Sequence, residues 1–231
     1  MTLILPRAAQ VPLAVTGGQD SVGVRVPAHP VAQQLLTVFG GGIAAPSANR
    51  YGHVSPTCAA HVREEFGEHS PFILDGGDCE VGLESTIVSL LGSPRLLRPG
   101  GISRAQIEAV IGPLASGAGE DAPRAPGTTV SHYAPTTPLR LLTEADEAWA
   151  CPAQAAVLAL RPRPPNHQGV WHEASRDPVR YGHDLYASLR SLDRVGAPVI
   201  VVEAPPALPA WEAVWDRLNR SAAAYRDVDL S

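Results

Sequence analysis

The sequence predicts an α/β protein of two domains, a twisted α/β domain and a smaller one with a mostly parallel sheet. Short apolar runs alternate with amphipathic stretches along most of its 231 residues, the pattern of strands interleaved with helices. Residues 113–138 interrupt that alternation with five prolines and three glycines, the makeup of a linker. An apolar content of 45 % and a net charge of −5 fit a packed core and exclude a polyanion-binding surface spread over the whole protein. The domains are therefore placed at residues 1–112 and 139–231, with 113–138 between them.

Residues 2–5 (TLIL), closed by Pro6, read as a buried strand. Residues 22–26 (VGVRV) read as another, closed by Pro27. Arg25 in this strand needs an anion or carboxylate if it is buried. Residues 30–39 predict a helix with Val31, Leu35 and Phe39 on its inner face, ended by Gly40 to Gly42. A strand-like start at Ile43 then leads into a polar loop holding Ala45, Ser47, Asn49 and Ser55. Ser55 before Pro56 is the signature of a helix start. The predicted helix over 56–66, with Ala59, Val62 and Phe66 inward, would point its N-terminus at an anion. Residues 72–74 predict a strand running into an acidic turn, Asp75 to Asp78. Ser85 and Thr86 stand at the mouth of the next strand. Ser103 with Gln106 forms a capping box for a helix through Ile107, Val110 and Ile111.

The linker contains His132 and Tyr133, more than a plain tether requires, which predicts that it folds back onto something. Beyond it, residues 139–142, 156–160 and 199–203 read as strands. Helices are predicted from Asp177-Pro178 through Leu185, Leu189 and Leu192, and over 211–225 with Val214 and Leu218 inward. No GxGxxG or Walker glycine pattern occurs there, so this domain is read as accessory.

All 18 basic residues are Arg, which excludes chemistry needing a lysine from this chain. Three cysteines without a CxxC pair fit a reduced cytoplasmic setting. No apolar run is of membrane-spanning length, and residues 2–5 are too short for a signal peptide. His53, Cys58 and His61 match no standard zinc spacing. Ser85 lacks the G-x-S-x-G elbow of a hydrolase. Asp75, Asp78 and Glu84 read as solvated turn residues rather than a glycosidase pair. What remains is a polar set: Ser21, Arg25, Ser47, Asn49, Ser55, Ser85, Arg98 and Tyr133. Such hydroxyls, amide and guanidinium groups suit phosphate, ribose and carboxylate. With no acid/base pair among them, they suit a reaction promoted by positioning and charge stabilisation, such as nucleotidyl transfer.

Five motifs occur in order: Ala45-Pro-Ser-Ala-Asn49, Ser55-Pro-Thr57, Glu84-Ser-Thr-Ile-Val88, Leu97-Arg-Pro-Gly100 and Ser131-His-Tyr-Ala-Pro135. Together they resemble the threonylcarbamoyl-AMP synthases, in the long two-domain form of the YrdC family. The resemblance implies a YrdC-like catalytic domain, a linker closing over its site, and a Rossmann-like C-terminal domain. It implies synthesis of threonylcarbamoyl-AMP and pyrophosphate from L-threonine, bicarbonate or CO2, and ATP, with Mg2+ on the nucleotide. Arg25, Ala45 and Ser85 would hold threonine. Ser21, Ser47, Asn49, Ser55, Arg98 and Tyr133 would hold ATP, and no residue acts as a catalytic acid or base. Downstream partners would be the threonylcarbamoyl transferase machinery, with contact to tRNA or other RNA, double-stranded RNA included. Family members carry a further N-terminal segment with a Lys/Arg motif, so the catalytic domain is expected to be N-terminally truncated. The alternative reading is a catalytically incomplete remnant that binds nucleotide or RNA.

Overall fold

The strands pair into two four-stranded sheets in the computed structural model, which describes residues 1–115, 123, 125, 127, 131–143 and 151–226. Packing divides the chain into two units, Met1–Ser47 with Glu84–Thr128, and Ala48–Leu83 with Thr129–Ser231. This division differs from the one placed at residues 112 and 139, because residues 48–83 group with the C-terminal half.

In the first unit, β1 (Thr2–Pro6) pairs antiparallel with β2 (Ser21–Val24) on one side. On its other side it runs parallel to β3 (Ile87–Ser89), which pairs antiparallel with β4 (Arg95–Arg98). The sheet is thus mixed, in the order β2-β1-β3-β4. Val88, Leu96, Ile107 and Leu114 form its core. Helix α1 (Pro30–Phe39) has the expected span, with Pro30 in its first turn and Gly40 closing it at φ +72°. Its expected inner face is a correction: no residue of α1 is buried, and Leu35 and Phe39 are exposed, since no described element covers that stripe.

The second unit begins irregularly. Helix α2 (Ala59–Phe66) starts three residues later than Pro56, after an extended Cys58. The backbone just before it is bonded elsewhere. The Thr57 amide donates to His61 Nδ1 (3.2 Å), and the Thr57 carbonyl accepts from the Cys79 amide (2.8 Å). Ser55 is therefore no helix cap. The strand-like start at Ile43 and the strand at 72–74 are also absent; Phe72 is 92 % exposed. Without a neighbouring strand these short runs have nothing to pair with.

In the first unit α3 (Arg104–Ile111) opens on the expected capping box. Gln106 N–H donates to Ser103 Oγ (3.3 Å) and Ser103 N–H donates to Gln106 Oε1 (2.9 Å). Of its expected inner residues only Ile107 is buried. The C-terminal sheet is wholly parallel, β5 (Leu139–Leu142), β6 (Ala156–Ala159), β7 (Trp171–Glu173) and β8 (Ile200–Glu203), in the order β5-β8-β6-β7. β7 escapes sequence reading because three residues, one of them charged, carry no period. Helix α4 (Pro178–Asp193), capped by Asp177, packs on β6, and α5 (Glu212–Ala223) on β5. The two-residue period of the strands splits the core. Leu139, Ala156, Leu158, Ile200 and Val202 meet the helices, while Leu142, Val157, Ala159, Val199 and Val201 form a separate cluster.

Candidate functional site

In the first unit two of the sequence motifs converge. Register places Ile87 opposite both Thr2 and Arg98, so the residues just before β3 sit beside the end of β4. Arg98 is buried and donates through Nε (3.1 Å) and Nη2 (2.9 Å) to the Ser85 carbonyl, with a longer contact from Nη2 to Ser85 Oγ (3.4 Å). Ser85 Oγ also lies 2.7 Å from Thr2 Oγ1. Thr86 Oγ1 donates to the Ile102 carbonyl (2.7 Å) and accepts from the Ile102 amide (3.1 Å). These bonds draw the loop after β4 against the loop before β3. Gly100 lies at the closest approach. A β-carbon there would stand 2.4 Å from the Thr86 nitrogen and 2.5 Å from the Glu84 carbonyl oxygen. The sequence offered the Pro-Gly signal for this residue, but not the reason, which is a backbone contact across chain segments.

Arg25 follows β2 directly, at the same end of the sheet: Val24 pairs with Leu3, and the charge of Arg25 reaches the Met1 amine. Its side chain is exposed, so the anion demanded by a buried arginine is not needed to fold the chain. Ser21 stands apart. It pairs with Pro6 at the far end of β1, about 13 Å of strand from Thr2 at the usual rise per residue. Ala45 and Ser47 are exposed in the irregular segment that closes the first unit's opening stretch.

Asn49, Ser55 and Tyr133 belong to the second unit. Asn49 Nδ2 donates to the Arg50 (2.8 Å) and His53 (3.3 Å) carbonyls. Its buried Oδ1 has no partner among the described residues. Ser55 is buried beside Val54, whose carbonyl accepts from Arg190 Nη2 (2.5 Å). Arg190 also reaches the Ser55 carbonyl (3.5 Å) and Glu65 Oε2 (2.8 Å). Glu65 in turn accepts from the Arg50 amide (3.0 Å) and pairs with His53 Nδ1 (2.8 Å). Burial alone would raise the Glu65 carboxyl, but the Arg190 and Arg50 bonds hold it below its ordinary 4.5. Tyr133 is 1 % exposed in the second unit's core. Its φ of 62° is the one positive value among described non-glycine residues. It costs about 1–3 kcal/mol, offset by contact with Tyr186, by the Arg217 guanidinium 5.3 Å from the ring centroid, and by a Ser221 hydroxyl bond to the Tyr133 carbonyl. Tyr133 thus packs into the C-terminal core.

His53, Cys58 and His61 do not form a metal site, and no described group of three His, Cys, Asp or Glu could hold an ion. His61 serves instead as acceptor for Thr57. A groove of about 550 Å³ in the second unit is lined by Trp171, His172, Ser175, Arg180, Tyr181 and Asp184 among others, none of them a sequence-predicted site residue. No helix among the described residues is long and apolar enough to cross a membrane.

The family model described as "Telomere recombination" (Sua5_yciO_yrdC) matches residues 1–100. That of "Threonylcarbamoyl-AMP synthase, C-terminal domain" matches residues 102–223. The chain is 37 % identical to the threonylcarbamoyl-AMP synthase of Pyrococcus abyssi, with 100 % of this chain and 72 % of that protein covered. Against the threonylcarbamoyl-AMP synthase of Bacillus subtilis the identity is 36 %, covering 96 % and 69 %. The crystal structure of P. abyssi Sua5 complexed with L-threonine superposes with a TM-score of 0.80 at 34 % identity, over 97 % of this chain and 70 % of that one. A mixed sheet with the Arg98 guanidinium on the Ser85 carbonyl at one end, and a parallel sheet after it, define with these matches a two-domain α/β nucleotidyltransferase. The chain belongs to the threonylcarbamoyl-AMP synthase family, in the form that carries both domains. The expected contact with RNA, double-stranded RNA included, draws no support from these matches.

Proposed function

We infer that this chain makes L-threonylcarbamoyl-AMP and pyrophosphate from L-threonine, bicarbonate or CO2, and ATP. The threonine amine takes up CO2 to give an N-carboxylate. An oxygen of that carboxylate attacks the α-phosphorus of ATP, the bond to the bridging oxygen of the β-phosphate breaks, and pyrophosphate leaves. A separate threonylcarbamoyl transferase then consumes the mixed anhydride for tRNA modification. The observation that carries this reading is the Arg98 fork on Ser85, which joins two family motifs at one end of the mixed sheet. Guanidinium groups suit carboxylate and phosphate in bidentate geometry. Arg25 and Ser85 are assigned to threonine with the Ala45 backbone, and Ser47, Asn49, Ser55, Arg98 and Tyr133 to ATP. The geometry favours Ser21 and Tyr133 least, since Ser21 lies at the other end of β1 and Tyr133 is buried in the C-terminal core. Residues 113–138 are assigned as the linker. Mg2+ would enter on the nucleotide's phosphates.

The test is pyrophosphate release by the purified chain from ATP, threonine and bicarbonate. Release that stops when threonine is omitted is expected. Release indifferent to threonine overturns the assignment, and ATP binding without any release favours a nucleotide-binding module.

A further inference from the structure

We propose that Arg190, a residue of the C-terminal domain, is a positioning residue for nucleotide binding, acting through the Ser55 segment. The proposal rests on the assignment of Ser55 to ATP. Arg190 lies on α4 and is buried, its side chain 10 % exposed. Its guanidinium is shared among three acceptors from the N-terminal half of the sequence: the Val54 carbonyl, the Ser55 carbonyl and the Glu65 carboxylate, itself 6 % exposed. Burying a guanidinium is costly unless its donors are satisfied. Here they are spent on the consecutive Val54 and Ser55 carbonyls and on Glu65 rather than on a partner in α4.

The consequence is local and specific. No helix begins at Pro56, so intrahelical bonding does not fix the Ser55 backbone. Its position is set from outside. Arg190 holds the two carbonyls, and Glu65, held by Arg190, anchors the Arg50 amide and His53 beside Asn49. One side chain of the C-terminal domain thereby orders both ends of a loop carrying Asn49 and Ser55. The neighbouring pair of Arg194 with Glu64 joins the same two helices, but both side chains are about half exposed and neither touches that loop. It serves as the control. The threonine-side residues Arg25 and Ser85 lie in the other packing unit.

The test compares dissociation constants for ATP and for threonine, by calorimetric titration of the full chain, in wild type and four variants. Arg190→Met keeps the aliphatic stem and removes every donor. It is expected to weaken ATP at least tenfold and threonine less than twofold. Arg190→Lys restores the charge but not the planar fork, and is expected to recover only part of the loss. Arg194→Ala is expected to leave both constants within twofold. Ser55→Ala tests the underlying assignment directly. If Ser55→Ala weakens ATP but a folded Arg190→Met does not, the positioning role is overturned. If Arg190→Met weakens both ligands equally, the residue acts on the fold at large, and the proposal fails. If Ser55→Ala leaves ATP binding unchanged, the nucleotide assignment of Ser55 fails, and the proposal with it. Should Arg190→Met not fold, Glu65→Gln takes its place, with at least threefold weaker ATP expected and an unchanged constant overturning the proposal.

Discussion

At Gly100 the presence of one methyl group separates a closed site from an open one. The loops before β3 and after β4 approach so closely that a β-carbon would meet two backbone atoms, neither of which can rotate away. Overpacking against side chains costs about 1–3 kcal/mol, and backbone has less room to yield. Gly100→Ala is therefore expected to cost at least about 2 kcal/mol and to abolish threonine-dependent pyrophosphate release, read by thermal unfolding and by the release assay. Unchanged melting would show that the approach is looser than the geometry implies. At this scale the sequence was legible as a set of types. Hydroxyls and arginines stood out as ligands for anions and polar groups. Which of them touch was not legible, because the contact between Ser85 and Arg98 depends on strand register. Arg190 was missed altogether: on a helix that also carries Arg180, nothing in the sequence separates a buried fork from a solvated charge.

Elements whose signals are local were readable, and those that depend on distant partners were not. Ser103 with Gln106, and Asp177 before Pro178, named two helix starts that the structure reproduces. The chemistry lies within four residues in each case. Ser103→Ala removes the acceptor for the Gln106 amide and is expected to lower stability by about 1 kcal/mol, measured by denaturant unfolding, with the ATP constant unchanged. The pair Ser55-Pro56 gave the same local signal and misled. The Thr57 amide and carbonyl are taken by His61 and Cys79, a contact that no local rule contains. Residues 72–74 are apolar enough for a strand but lack a neighbour. The four parallel strands of the C-terminal sheet were legible in part, β5, β6 and β8 from their apolar runs and β7 not at all.

For the molecule as a whole, these contacts weaken in acid. Burial, and then the charges of Arg190 and Arg194, hold the His61 imidazole below its ordinary 6.5. The unfolded chain therefore takes up that proton first, and the associated stability is lost as pH falls from 6.5 through the lowered native value. Glu65, held below 4.5, adds a second loss as pH falls through its own lowered value. Melting temperature is expected to fall from pH 7 to pH 5 and again below 4.5. His61→Gln should flatten the upper part of that fall, and an unaltered slope would exclude His61 as its source. The interleaving of the two units has a further consequence during synthesis. Glu65 leaves the ribosome 125 residues before Arg190, about 6–25 s at ordinary elongation rates. For that interval α2 and the loop before it have no α4 to dock on, while the segment that follows returns to the first sheet. A nascent chain stalled before residue 178 should thus expose residues 48–83 to protease and to holding chaperones, however well the strands on either side have already paired.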